Sequence, residues 1–149
     1  MIITDGGKQA VFNTVFALAG PGDEVIVPAP YWVSYSEQVK AVGATAVIVQ
    51  TRAEDDFKLS PQALRDAITD RTRLLIFNTP SNPTGSVYTS EEVGALAEVL
   101  VEHQVPVLSD EVYEDLVYGV PFTSIASFGP ELYDLTVICT AVSKSYAMT

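Results

Sequence analysis

Short runs rich in valine and isoleucine alternate along the chain with longer segments whose apolar residues recur at helical spacing. Strands are predicted at Glu24–Pro28, Thr45–Val49, Leu74–Asn78, Val105–Ser109 and Leu135–Thr140. Helices are predicted near Lys8–Ala19, Tyr31–Val42, Pro61–Ile68 and Ser90–His103. Strand and helix taken in turn are the mark of βαβ units, so an α/β fold with a mostly parallel sheet is expected. Local punctuation agrees. Ser60-Pro61 puts a capping hydroxyl before a proline at the first helical position. Thr89 and Glu92 have the spacing of a capping box. Gly20-Pro21-Gly22-Asp23 stops the first helix and turns the chain into the first strand.

Composition narrows the chemistry. With 48% apolar and 18% charged residues the chain is too apolar to be disordered, and 149 residues suffice for one domain or part of one. A net charge of −11 argues against binding nucleic acid or an anionic membrane surface, both of which need basic patches. No apolar stretch reaches the length of a membrane span and the N-terminus lacks a leader pattern, so a cytoplasmic protein is expected. Cys139 is the only cysteine, which leaves no intrachain disulfide, and its apolar run suggests a buried strand position. His103, the only histidine, sits near a helix C-terminus, where a contact with the helix dipole suits it better than catalysis. There is no His/Cys cluster for a metal, no Gly-x-Ser-x-Gly elbow and no Gly-x-Gly-x-x-Gly dinucleotide signature.

Ligands of open α/β sheets bind at the carboxyl ends of strands, so the residues following each strand are the candidates. Thr79-Pro80-Ser81-Asn82-Pro83-Thr84-Gly85 is a rigid turn that would aim the Asn82 amide, although it could be only a turn. Asp110, Glu111 and Tyr113 follow the fourth strand, and Asp110 could equally be a helix cap. Ser143 and Lys144 follow the fifth, where Lys144 could be an ordinary surface lysine; it lies, however, in a weakly charged stretch between Val142 and Met148. Thr4-Asp5-Gly6-Gly7-Lys8 enters the first helix, where free N–H groups and the helix dipole favour a phosphate, or where two glycines simply make a turn.

Together these places are more specific than any one of them. Gly6-Gly7-Lys8-Gln9-Ala10, Pro30-Tyr31-Trp32, Ser81–Gly85, Ser109–Tyr113 and Ser143–Thr149 occur in the order found in class I and II aminotransferases, which the chain resembles from Gly6 to its end. The resemblance implies a three-layer α/β/α architecture, the large cofactor-binding domain of fold-type I pyridoxal-phosphate enzymes. It further implies that Lys144 carries pyridoxal phosphate and moves the proton at the substrate α-carbon. Asp110 would pair with the pyridine nitrogen, and Asn82 and Tyr113 would hydrogen-bond the ring oxygen. Trp32 would stack on the ring, or serve only in packing. The backbone N–H groups of Gly7 and Lys8 would hold the phosphate, with Ser143 beside them.

The expected reaction moves an amino group between an L-amino acid and a 2-oxo acid. Aspartate is the expected donor, because Pro30–Tyr35 resembles bacterial aspartate-type members. A C–S lyase or synthase of the same fold type shares every motif quoted, and a non-catalytic truncated fragment is a further alternative. Residues 1–149 are expected to be a partial large domain, with an N-terminal segment and a C-terminal small domain lying elsewhere. The complete protein is expected to be a homodimer, and the chain alone to be inactive. Family members continue beyond Met148-Thr149 with glycine and an arginine for the cofactor phosphate. They often carry Gly or Ser where Ala141 stands, so a phosphate contact from that side chain is lost.

Overall fold

A computed structural model describes residues 1–148; Thr149, the last residue of the lysine motif, lies outside the described residues. In chain order the main elements are α1 (Gly7–Leu18), β1 (Glu24–Ala29), α2 (Ser34–Ala41), β2 (Thr45–Gln50), α3 (Pro61–Ala67), β3 (Thr72–Asn78), α4 (Ser90–His103), β4 (Val107–Asp110), α5 (Pro130–Leu135), β5 (Thr136–Cys139) and α6 (Val142–Ser145). The strands form one sheet in the order β2-β1-β3-β4-β5, and every described pairing is parallel.

Alternation along each strand separates two apolar layers, because successive side chains point to opposite faces. Leu75, Phe77 and Val107 pack with Leu64 of α3, with Val93, Leu96 and Leu100 of α4 and with Leu132 of α5. Leu74, Ile76 and Leu108 pack on the other face with Val11 and Val15 of α1 and with Tyr35 and Val39 of α2. The result is the expected three-layer α/β/α arrangement. β1 connects outward to β2 on one side, and the chain then crosses back to β3 on the other. This reversal of strand order opens a crevice at the carboxyl ends of β1 and β3.

Helix α4 begins where its capping residues predict. Thr89 Oγ1 accepts the Glu92 N–H at 3.2 Å and Glu92 Oε2 accepts the Thr89 N–H at 2.7 Å. Glu92 also takes Lys58 Nζ at 2.8 Å, so the cap is tied to the segment before α3. Thr89→Ala is expected to cost about 1 kcal/mol of stability in urea unfolding while leaving the strand ends unchanged.

Three expectations need correction. Helix α2 starts at Ser34 rather than Tyr31, because Tyr31 and Trp32 are spent crossing from β1 and their apolar spacing imitates a helical stripe. The strand predicted from Val105 is paired only from Val107 and extends to Asp110, because Val105 serves the turn out of α4, donating its N–H to the Leu100 carbonyl. The strand predicted from Leu135 begins at Thr136, since Leu135 closes α5, which Pro130 opens at the first helical turn. Cys139 is buried, but β5 is an edge strand, and its Val137 and Ile138 are 41% and 47% exposed.

Candidate functional site

β3, β4 and β5 finish level with one another, so that Asn78, Asp110 and Cys139 stand in one row across the sheet. Strand alternation turns this row toward the face covered by α1 and α2. Above it lies a cavity of about 280 Å³, lined by all eight predicted residues: Gly7, Lys8, Trp32, Asn82, Asp110, Tyr113, Ser143 and Lys144. Gly6, Tyr35, Asn78 and Val112 complete the lining. Segments nearly 140 positions apart in sequence thus converge because four strand ends meet at one rim.

Asp110 forms the floor and is 5% exposed. Its Oδ2 accepts the Tyr35 hydroxyl at 2.6 Å and its Oδ1 accepts the Val112 N–H at 3.3 Å. The second contact folds the chain after β4, so Asp110 and Tyr113 enter the cavity from one short segment. No basic side chain pairs with Asp110 among the described residues. Burial therefore raises its carboxyl above the ordinary range, and the two hydrogen bonds offset only part of that. A buried carboxylate without a counter-ion is a place for a cationic ligand atom.

Asn78 orders the neighbouring turn. Its Nδ2 donates to the Asp110 carbonyl at 2.8 Å and to the Pro80 carbonyl at 3.2 Å, while its Oδ1 accepts the Asn82 N–H at 2.7 Å. One amide thus fixes the backbone of both Asp110 and Asn82. Thr79–Pro80 and Asn82–Pro83 are cis peptides, and Gly85 closes the turn at φ 74°, with its N–H on the Ser81 carbonyl at 2.9 Å.

The opposite rim is the start of α1. Gly6 adopts φ 80°, a conformation that favours glycine, and no side chain caps the helix. The first helical N–H groups, those of Gly7 and Lys8, are free to meet an anion. A Cβ at Gly7 would be in ordinary van der Waals contact, 3.6 Å from both Ala141 Cβ and Cys139 Sγ, so the start of α1 packs directly against the end of β5. Cys139 Sγ lies 3.6 Å from the Gly7 carbonyl, and burial, with the Asp110 charge second, pushes the thiol up to about 12. It stays a neutral donor.

Lys8 Nζ lies 5.0 Å from the centre of the Trp32 ring, a cation–π contact, and the Tyr35 ring packs perpendicular to the same indole, with centroids 5.5 Å apart and planes at 88°. Ser143 and Lys144 stand on the short α6, and Lys144 is exposed at the open side of the cavity. Val142 and Met148, which flank it in sequence, are 53% and 61% exposed and do not shield it. The site thus has a negative floor and two ammonium groups at its rim. Among the described residues no group of His, Cys, Asp and Glu is placed to hold a metal ion. No helix there is long and apolar enough to cross a membrane.

Sequence reasoning missed Tyr35 and Asn78. Tyr35 lies within the Pro30–Tyr35 stretch already singled out, and Asn78 is the last residue of a predicted strand. Both positions carried a signal, but no spacing links Tyr35 to Asp110.

A parallel sheet with a reversal in strand order, a buried carboxylate below and a glycine-opened helix beside a lysine define an α/β domain with a ligand-sized crevice at its strand ends. The chain belongs to the class I and II aminotransferase family, whose model matches residues 1–149. It is 53% identical over 146 residues to the aspartate/prephenate aminotransferase of Cereibacter sphaeroides, covering 97% of this chain and 36% of that protein. It is 49% identical to the aspartate aminotransferase of Geobacillus stearothermophilus, covering all of this chain and 38% of the relative. The Thermus thermophilus aspartate aminotransferase with maleate superposes with a TM-score of 0.94 at 45% identity, over 99% of this chain and 38% of the other. The chain therefore spans a little over a third of the length of these relatives.

Proposed function

We propose that this chain is the central part of the large domain of a pyridoxal-phosphate-dependent aminotransferase acting on L-aspartate and a 2-oxo acid. The observation that carries the reading is the buried Asp110 carboxylate, which has no counter-ion among the described residues and faces a cavity lined by Lys144, Asn82 and Tyr113. A protonated pyridine nitrogen supplies the missing cation, and the uncapped start of α1 suits a phosphate. The residues present therefore fit the cofactor. Lys8 adds a positive charge that suits a dicarboxylic substrate. Family resemblance extends the reading to a cytoplasmic homodimer whose N-terminal segment and small domain lie outside these residues.

Pyridoxal phosphate, when bound, supplies an aldehyde for the substrate amine and a cationic ring that draws electrons from the α-carbon. The rest falls to the chain. Lys144 binds the cofactor and carries the proton to and from the substrate α-carbon. Asp110 would keep negative charge beside the ring nitrogen, and Asn82 and Tyr113 would donate hydrogen bonds to the ring oxygen. The Gly7 and Lys8 N–H groups and Ser143 would hold the phosphate, while Trp32 would cover the ring and exclude water.

Borohydride treatment of the full-length protein loaded with pyridoxal phosphate should fix the cofactor to the peptide containing Lys144. Attachment at another lysine would refute the assignment. The isolated 149-residue chain, given cofactor, aspartate and 2-oxoglutarate, should form no measurable glutamate. Substrate orientation can supply roughly 7–11 kcal/mol of a barrier, and no arginine for a substrate carboxylate lines this cavity.

A further inference from the structure

We propose that Tyr35 is a positioning residue of this site: its hydroxyl holds the Asp110 carboxylate ionised and in one orientation, and its ring, perpendicular to Trp32, sets the plane of that indole. The inference rests on the cofactor reading above and assigns a role to a side chain that reading does not use. Tyr35 is 2% exposed, lies in the first turn of α2 and reaches across 75 positions to Asp110 Oδ2 at 2.6 Å. Burial, with the Asp110 charge second, pushes the phenol far above its ordinary value, so it acts only as a donor.

The bland alternative is that Tyr35 merely packs, with Asp110 present to satisfy its hydroxyl. Energetics oppose that. A buried hydroxyl needs one acceptor, and a backbone carbonyl would serve without the larger cost of burying a carboxylate. The dependence runs the other way. Among the described residues the Asp110 carboxylate has two hydrogen-bond partners, and Tyr35 is the one that comes from outside its own segment. Without the hydroxyl, Oδ2 loses its partner, the carboxyl binds a proton more readily, and the group can rotate about its last bond. Both changes weaken its hold on a ring-nitrogen proton. The same phenol ring packs perpendicular to Trp32, at 88°, and Lys8 lies over the Trp32 ring as well.

The test uses full-length protein loaded with pyridoxal phosphate carrying nitrogen-15 in its ring. In Tyr35→Phe the ring-nitrogen resonance should move toward the unprotonated position. Turnover should fall about tenfold, the scale of a hydrogen bond to a charged group, with the KM for the amino donor changed far less. In an Asp110→Asn background, adding Tyr35→Phe should shift the resonance no further. Site-specific 3-fluorotyrosine at position 35, which keeps a donor of nearly the same size, should retain the wild-type resonance and turnover. A wild-type resonance in Tyr35→Phe, an equal further loss in the Asp110→Asn background, or failure of 3-fluorotyrosine to retain function would each overturn the proposal alone. Absence of cofactor from Lys144 in the wild type would overturn it together with the functional reading.

Discussion

Replacing Lys144 with alanine in the full-length protein should lower transamination by about 10⁴-fold or more. Positioned proton transfer alone contributes roughly 10²–10⁴, and loss of the covalent anchor adds to it. Lys144→Arg should fail comparably, because a guanidinium keeps its charge but neither attacks an aldehyde nor releases a proton near neutral pH. Neither change should disturb folding, since Lys144 stands exposed on a four-residue helix and makes no ion pair among the described contacts. Both variants should still take up pyridoxal phosphate, held by the floor and the α1 rim, but borohydride should no longer fix it. Single-turnover kinetics and mass mapping of the reduced protein would check these outcomes. Near-normal turnover in Lys144→Ala would make the lysine an ordinary surface residue.

Much of this arrangement is legible in the sequence, for identifiable reasons. Ser90–His103 was readable to the residue because its cap is a local, self-contained hydrogen-bond exchange between Thr89 and Glu92. The convergence of the eight candidate residues on one cavity was readable because each follows a strand or opens a helix, and a parallel sheet collects such positions at one edge. What failed was tertiary. Trp32 looked like part of a helical stripe because its apolar spacing is the same whether it faces a core or a cavity. Residues Pro130–Leu135 form α5, whose signal, glycine followed by proline, was present but was overshadowed by the apolar run beyond it. The Tyr35–Asp110 bond joins α2 to β4, and no local pattern states that those two elements meet. The sheet order had to be known first.

Asp110→Asn should separate function from stability in the opposite sense to most core substitutions. Turnover should fall by roughly 10²–10³ or more, the scale of removing a preorganised electrostatic contact, because an amide cannot balance the charge on a ring nitrogen. The shape of the site should survive, since asparagine fills the same volume and its carbonyl oxygen can still accept the Tyr35 hydroxyl, so that only the long 3.3 Å contact from the Val112 N–H is lost. Stability of the cofactor-free protein should not fall. Burial raises the folded-state pKa of Asp110, so the ionised form is worse tolerated in the fold than in the unfolded chain. The sign follows directly. Below the ordinary carboxylate range the group is protonated in both states and carries no penalty. As pH rises toward and through the raised folded value, the unfolded chain ionises first and wild-type stability is lost. The Asn variant lacks that loss, so its stability relative to wild type should grow as pH rises above the ordinary carboxylate value of about 4. Glu111, adjacent and also raised by burial despite hydrogen bonds from Ser109 and Ser124, is common to both proteins and largely cancels in the difference. Urea unfolding of both cofactor-free proteins across that range would measure the trend. A gap that shrinks with rising pH, together with unchanged turnover, would mean that Asp110 is a satisfied structural cap and that the cavity binds its ligand without it.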